Sequence, residues 1–235
     1  MEMSPFYEKQ IECINCKKTF PSYKVRSKFI KVNQTESDFR PIYADSNVNA
    51  LFYNVFVCEH CGFSFTEDFN KYFAPGVQEQ INEQITKKWV HHTFSGERSV
   101  SQAIQAYKLA LLCGTIKKEK NVSLAGLSLR IGWLYRSTEN RDQEMRFIKL
   151  SRDYYLESFS NEDYASTQMS GIRVMYMIAE LSRRINDIEN ATRFFSKVIE
   201  QQHIGGEAKL IDMAKEQWQL VREEREKLRE ELPKN

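Results

Sequence analysis

The chain has no long apolar run, no marked excess of either charge, and no proline between Pro75 and Pro233. A bilayer-spanning helix needs ~20 apolar residues, and even Ile172–Leu181 is shorter and contains Arg173 and Glu180. Met1–Gln10 mixes acids and bases without an apolar core, unlike a secretory leader. Together these features predict a soluble, cytoplasmic protein with no membrane partner. Lys and Arg number 34 against 32 Asp and Glu, so the formal charge of +2 does not by itself argue for a polyanionic partner. Also missing are a Gly-rich phosphate loop, a His-Glu-x-x-His helix, a Ser/His/Asp order and a kinase-like set of motifs. The expectation is a protein that is not an enzyme. An enzyme whose site escapes recognition is a third reading, behind the two developed below. With 41% hydrophobic and 28% charged residues the chain has material for a core and is not expected to be disordered.

Cysteine is also scarce, and its placement is the strongest signal present. Four of the five cysteines form two Cys-x-x-Cys pairs, Cys13/Cys16 and Cys58/Cys61, the second followed by Gly62. A tight turn at this spacing brings two sulfurs to one point, and two such knuckles complete a tetrahedral four-thiolate shell for one Zn²⁺. Four protein ligands leave no open position, which predicts a structural rather than a catalytic metal. The redox alternative needs one low-pKa thiolate at a helix N-terminus in a βαβ setting, and a single pair would suffice for it. His60, inside the second knuckle, is a possible substitute ligand. His91-His92 reads as the end of a helix, where an imidazolium favours the negative dipole end. Cys113, at helical spacing from Ala106, Leu109 and Ala110, reads as a core thiol.

The character of the chain changes at Pro75-Gly76, which predicts a zinc-binding module over 1–75 and a helical domain over 76–235. Before the change, Lys24–Val32 and Leu51–Val57 are rich in β-branched and aromatic residues and read as strands, with Thr35–Asn49 as a loop. A small antiparallel sheet would carry both knuckles. After it, apolar residues follow helical spacing, predicting helices near 76–93, 98–114, 121–138, 141–158, 161–185, 188–202 and 206–231. Asn140 with Gln143, and Asn186 with Glu189, resemble capping boxes. The fold class is therefore mixed: a small β-rich zinc-knuckle module, then an all-α antiparallel array.

The array has a weak internal repeat of tetratricopeptide-like kind, the alternative being an irregular helical domain. Leu129–Tyr135 fits a first helix, with Gly132 at the small position; Met175–Ala179 and Ala191-x3-Phe195 repeat the arrangement. The pattern would turn Leu129, Trp133 and Arg136, and in the next repeat Tyr176, Glu180 and Arg183, towards a concave face, with Arg130, Arg173 and Arg184 nearby. Arg grips carboxylates bidentately and aromatics bury apolar area, so the implied ligand is a protein or acidic peptide. The competing arrangement puts these aromatics in the core. Ile211, Ala214, Trp218, Val221, Arg225, Leu228 and Leu232 form a seam of alternating three- and four-residue steps, read as a helix capping the array rather than as an independent coiled coil.

The chain resembles an uncharacterised bacterial family catalogued only as a numbered domain of unknown function. The resemblance rests on Cys13-Ile14-Asn15-Cys16, on Tyr53–Phe63 with its Cys58-Glu59-His60-Cys61-Gly62 knuckle, and on the helical remainder; it covers most of the chain. Glu59, Phe63 and Asn49-Ala50 depart from the family pattern without touching the ligands. The resemblance implies the fold and the metal but no activity. The expected function is a zinc-binding adaptor or scaffold. The alternative is a nucleic-acid-associated zinc-ribbon protein using Lys17, Lys18, Lys24, Arg26, Lys28 and Lys31, which lie close together without an intervening acid.

Overall fold

Pairing partners, more than residue propensity, decide where the strands fall. The computed structural model describes residues 3–204 and 207–231. Strands β1 (Phe6–Glu12) and β2 (Thr19–Val25) form an antiparallel hairpin in register from Phe6↔Val25 to Glu12↔Thr19. Lys24–Val32 is not one strand: β1 supplies no partner beyond Val25, the last ladder bond runs from the Arg26 amide to the Pro5 carbonyl, and Ser27–Phe29 closes a 3-10 turn. Strands β3 (Val32–Thr35) and β4 (Pro41–Tyr43) make a second hairpin inside the expected loop. Leu51–Val57 is not one strand either. The Asn49 side chain accepts the Leu51 amide and starts a 3-10 turn over Ala50–Tyr53, a local bond that overrides β-propensity. Only β5 (Phe56–Val57) remains to pair with β6 (Ser64–Phe65). The single small sheet expected from sequence is three separate two-stranded sheets.

The helices follow the sequence expectation more closely. They are α1 (Val77–Gln84), α2 (Val100–Lys117), α3 (Asn121–Ser137), α4 (Arg141–Asn161), α5 (Gly171–Arg184), α6 (Ile188–Glu200) and α7 (Ala208–Glu231). Two boundaries move. The helix expected to reach residue 93 ends as α1, passes through a 3-10 turn at Thr86–Lys88 and becomes extended at Trp89, so His91-His92 ends no helix. The helix expected from 161 begins at Gly171: Glu162 is left-handed (φ 54°), and Ser170 caps α5 by accepting the Arg173 amide. Asn140 accepts the Gln143 amide at the start of α4, as its position predicts. At α6 the cap is Asp187 rather than Asn186, which is itself left-handed. Ser99 and Gln102 form a full capping box at α2.

The chain forms two compact units, one comprising residues up to Glu119 with Gly126–Glu144, the other Lys120–Ala125 with residues from Met145. The change from strands to helices near Gly76 is thus not a boundary between units. In the first unit Phe20, Phe63, Ile81, Tyr107, Ile131 and Leu134 are fully buried. In the second, Ile148, Tyr176, Ile178, Leu181 and Phe195 form the core, and α5 packs on α6 and α6 on α7. Ile211, Ala214 and Val221 are buried, so this part of the α7 seam is internal packing; the side chains of Arg225, Leu228 and Leu232 lie outside the described residues. Among the described residues no helix is long and apolar enough to cross a membrane.

Candidate metal centre

The two knuckles are built to one plan. In the first, the Lys17 amide donates to the Cys13 carbonyl (2.9 Å) and the Cys13 amide to the Lys18 carbonyl (3.0 Å). In the second, Gly62 donates to Cys58 (2.8 Å) and Cys58 to Phe63 (3.1 Å). Both turn through a left-handed residue, Lys17 at φ 62° and Gly62 at φ 72°. Gly62 is obligatory for a second reason: a Cβ there would lie 2.5 Å from the Trp89 ring. The turn between β1 and β2 carries the first knuckle; the turn between β5 and β6 carries the second.

The four sulfurs meet. All lie within 4.8 Å of one another, with Cys13 Sγ 3.7 Å from Cys61 Sγ and Cys16 Sγ 3.6 Å from Cys58 Sγ. A tetrahedron with Zn–S bonds of about 2.3 Å has edges of about 3.8 Å, so the separations of 3.7 and 3.6 Å suit a thiolate-bound metal of this size. A disulfide would need about 2.05 Å, and all five cysteines are free. Cys13, Cys58 and Cys61 are buried and Cys16 is half-buried. Hydrogen bonds from Cys13 and Cys58 hold the Cys61 thiol far below its ordinary range, while those to Cys58 and Cys61 push Cys13 far above it. Four thiols this close compete for protons; a dication removes that conflict by binding thiolates. Asn15 Nδ2 also points at Cys61 Sγ (3.8 Å). His60 is not among the clustered ligands; its Nε2 lies 3.1 Å from the Thr19 carbonyl, linking the second knuckle to β2.

Side chains from outside the knuckles lock them in place. Trp89 Nε1 donates to the Glu59 carbonyl at 2.8 Å. Cys113, buried on α2, accepts the Ser64 amide at 3.3 Å, and burial pushes its thiol up to about 12. Tyr107, fully buried on the same helix, donates to the Leu51 carbonyl at 2.9 Å. Arg98 Nη1 donates to the Phe52 and Val55 carbonyls (2.9 and 2.8 Å) and Nε to Phe94 (3.0 Å), and burial lowers its pKa to about 10. Carbonyl dipoles thus serve a buried cation as partners. Neither Trp89 nor Arg98 sits in a motif that sequence reading could have singled out.

The residues expected to line a partner groove lie elsewhere. Trp133 is 6% exposed and donates from Nε1 to Asp38 Oδ2 (3.0 Å), and Tyr176 is 0% exposed and packs edge-on to Phe195. Both are core residues, which corrects the expectation of exposed aromatic anchors: their apolar area is spent inside the fold. Arg136 pairs with Glu36, with Asp38 (2.8 Å) and with Glu144 (2.5 Å). Burial opposes its charge, but Asp38 and Glu144 outweigh that and hold the guanidinium above its ordinary value. Arg130 bonds the Gly126 carbonyl, and Arg183 and Arg184 both hold the fully buried Glu180 on their own helix. Arg173 is half-buried near the start of α5.

The six basic residues do not form one stripe. Lys17 and Lys18 are at the knuckle end of the first hairpin, Arg26, Lys28 and Lys31 beyond its other end, about 20 Å away along a seven-residue ribbon. Lys24 pairs with Glu67 at 3.1 Å.

Comparison with known proteins agrees with this architecture at the level of family alone. No curated protein and no solved structure matches the chain. Residues 6–221, which include both knuckles and extend into α7, match the family described as "Uncharacterized protein conserved in bacteria (DUF2225)", and the chain belongs to that family.

Proposed function

We propose that the four-cysteine cluster holds one Zn²⁺ as a closed structural centre, and that the protein is a non-enzymatic adaptor whose helices bind another protein. The observation that carries the metal reading is the spacing of the sulfurs, 3.6 and 3.7 Å across the knuckles, which suits a four-thiolate shell. Such a shell leaves no position for a substrate, so the metal's work is to tie two distant hairpins together.

The adaptor role is supported by the α5–α6–α7 packing. The short connection from Arg184 to Ile188 joins two packed helices, each with a fully buried alanine, Ala179 and Ala191, the small residues a tetratricopeptide-like pair needs. Stacked pairs of this kind present an extended face suited to a peptide or helix. The acidic-peptide specificity drawn from Trp133 and Tyr176 is not retained, because both are core residues.

A nucleic-acid role has one observation in its favour. Among the described residues, no carboxylate lies within ion-pairing distance of Arg26, Lys28 or Lys31. Two measurements test these readings. Elemental analysis of protein purified without added zinc should give one Zn²⁺ per chain; metal-free, folded protein would refute the centre. A pull-down with intact protein should recover the same partner with and without nuclease. Recovery abolished by nuclease would move the function to nucleic acid.

A further inference from the structure

We propose that Trp89 is the latch of the metal centre: it sets how fast the second knuckle opens and lets its metal go. The inference rests on the zinc reading above and goes beyond it, since the ligands alone do not determine a release rate. Metal is lost when thiolates swing away one after another, and the two knuckles are not equally free to do so. Cys16 is half-buried and Lys17 behind it is exposed, so a competing chelator can enter at Cys16, although Cys13 of the same knuckle is buried. Cys58 and Cys61 are buried, and release is complete only when they also let go.

Their knuckle moves by changing the backbone at Glu59 and Gly62, and Trp89 restrains both. Its ring carbons Cε3, Cδ2 and Cγ come within 2.5–2.9 Å of the place a Gly62 Cβ would occupy, so the ring lies directly on the left-handed turn. Its Nε1 donates to the Glu59 carbonyl at 2.8 Å, pinning the residue between the two ligands. Trp89 is itself anchored. The buried Ile81 and Ile85 fix α1 to the core, the Lys88 amide bonds Ile85 and the Trp89 amide bonds Thr86, and the backbone then turns extended to reach the knuckle. The first knuckle has a lysine, Lys17, at the position matching Gly62 and therefore no room for such a ring. Trp89 acts on the knuckle through the Glu59 carbonyl and the Gly62 backbone, which makes it a positioning residue.

The test is the rate of metal transfer from the zinc-loaded full-length chain to excess EDTA, for wild type, Trp89→Phe and Trp89→Ala, with the urea midpoint of each loaded protein measured alongside. Loss of the indole bond and ring together should speed release about tenfold or more in Trp89→Ala. Trp89→Phe keeps a ring on Gly62 without the N–H and should be intermediate, with one metal per chain and a urea midpoint lowered by no more than about 0.7 M. If Trp89→Ala does not fold, Trp89→Phe decides. Wild-type release rates in both variants would overturn the latch. So would faster release in Trp89→Ala alone, accompanied by a lower urea midpoint, because that is the mark of lost packing. A wild-type chain that holds no metal would overturn the centre and the latch together, a result distinct from either.

Discussion

Arg136 gives the most stringent test of the packing in the first unit. Its side chain is 14% exposed and holds three carboxylates whose own exposures are 0% (Asp38), 12% (Glu144) and 28% (Glu36). Replacing it with Leu keeps much of the volume and removes the cation bonded to Asp38 at 2.8 Å, while the electrostatic attraction between Asp38 and Arg40 remains. Asp38 would retain the Trp133 N–H and the Arg40 amide, neither carrying charge. Breaking a buried pair by deleting one partner costs about 3–5 kcal/mol. That is at least about a fifth of a typical total of about 5–15 kcal/mol. With a urea slope of about 2 kcal/mol/M the midpoint should fall by roughly 2 M. Arg136→Lys keeps the charge but cannot fork among three acids, and should lose about 1.5–3 kcal/mol, the worth of one charged hydrogen bond. The assay is urea unfolding by tryptophan emission in a Trp218→Phe background, which leaves Trp89 and Trp133, both in the first unit. A loss below about 1 kcal/mol for Arg136→Leu would mean the cluster behaves as a surface ion pair and would refute the argument. The same reasoning predicts that Arg136→Glu abolishes folding of the unit before it reports on any partner.

Cys61→Ser should release the metal and, because Cys113 fastens α2 to β6 beside the second knuckle, raise hydrogen exchange in α2 as well as in the hairpins; exchange confined to residues before Gly76 would contradict this. Truncation after Arg222 should leave fold and solution mass unchanged, since Ile211, Ala214 and Val221 are retained in the core, and loss of a dimer on light scattering would favour a coiled coil. At Asp187, burial opposes the charge, but Asn190 and Arg152 outweigh it and hold the carboxyl below its ordinary value. Its contribution is therefore complete above the unfolded carboxylate pKa and is lost as pH falls through the lower folded one. Asp187→Asn should remove about 1 kcal/mol at neutral pH and flatten that acid limb in pH-dependent thermal melts.

What sequence made legible divides along physical lines. Helices α2 to α6 were readable because apolar residues recur at helical spacing over several turns between clear breaks, and the knuckles because metal chemistry fixes ligand type and spacing. Three kinds of feature were not readable. Strand ends depended on a partner: nothing in Lys24–Val32 says that β1 stops at Phe6. Local side-chain bonds overrode propensity, as Asn49 does at Ala50–Tyr53. The aromatic residues of α3 and α5 were ambiguous because a groove and a core both ask for Trp and Tyr at small-residue spacing; only the burial of Trp133 and Tyr176 decides between them. Asp38 gave no signal at all, since its partners on α3 lie 95 and 98 residues away.

That separation has a consequence for how the chain is made. The β3–β4 turn leaves the ribosome well before α3, so Asp38 and Glu36 wait for Trp133 and Arg136, the farthest contact spanning 100 residues. At synthesis rates of about 5–20 residues per second the interval is roughly 5–20 s. The knuckles span only 42 and 48 residues, so all four thiols are present much sooner. Metal capture can therefore precede completion of the surrounding fold. An ion bound early would hold the β1–β2 and β5–β6 hairpins together during the wait, while the acidic turn has its own hairpin and Arg40 but not yet Arg136.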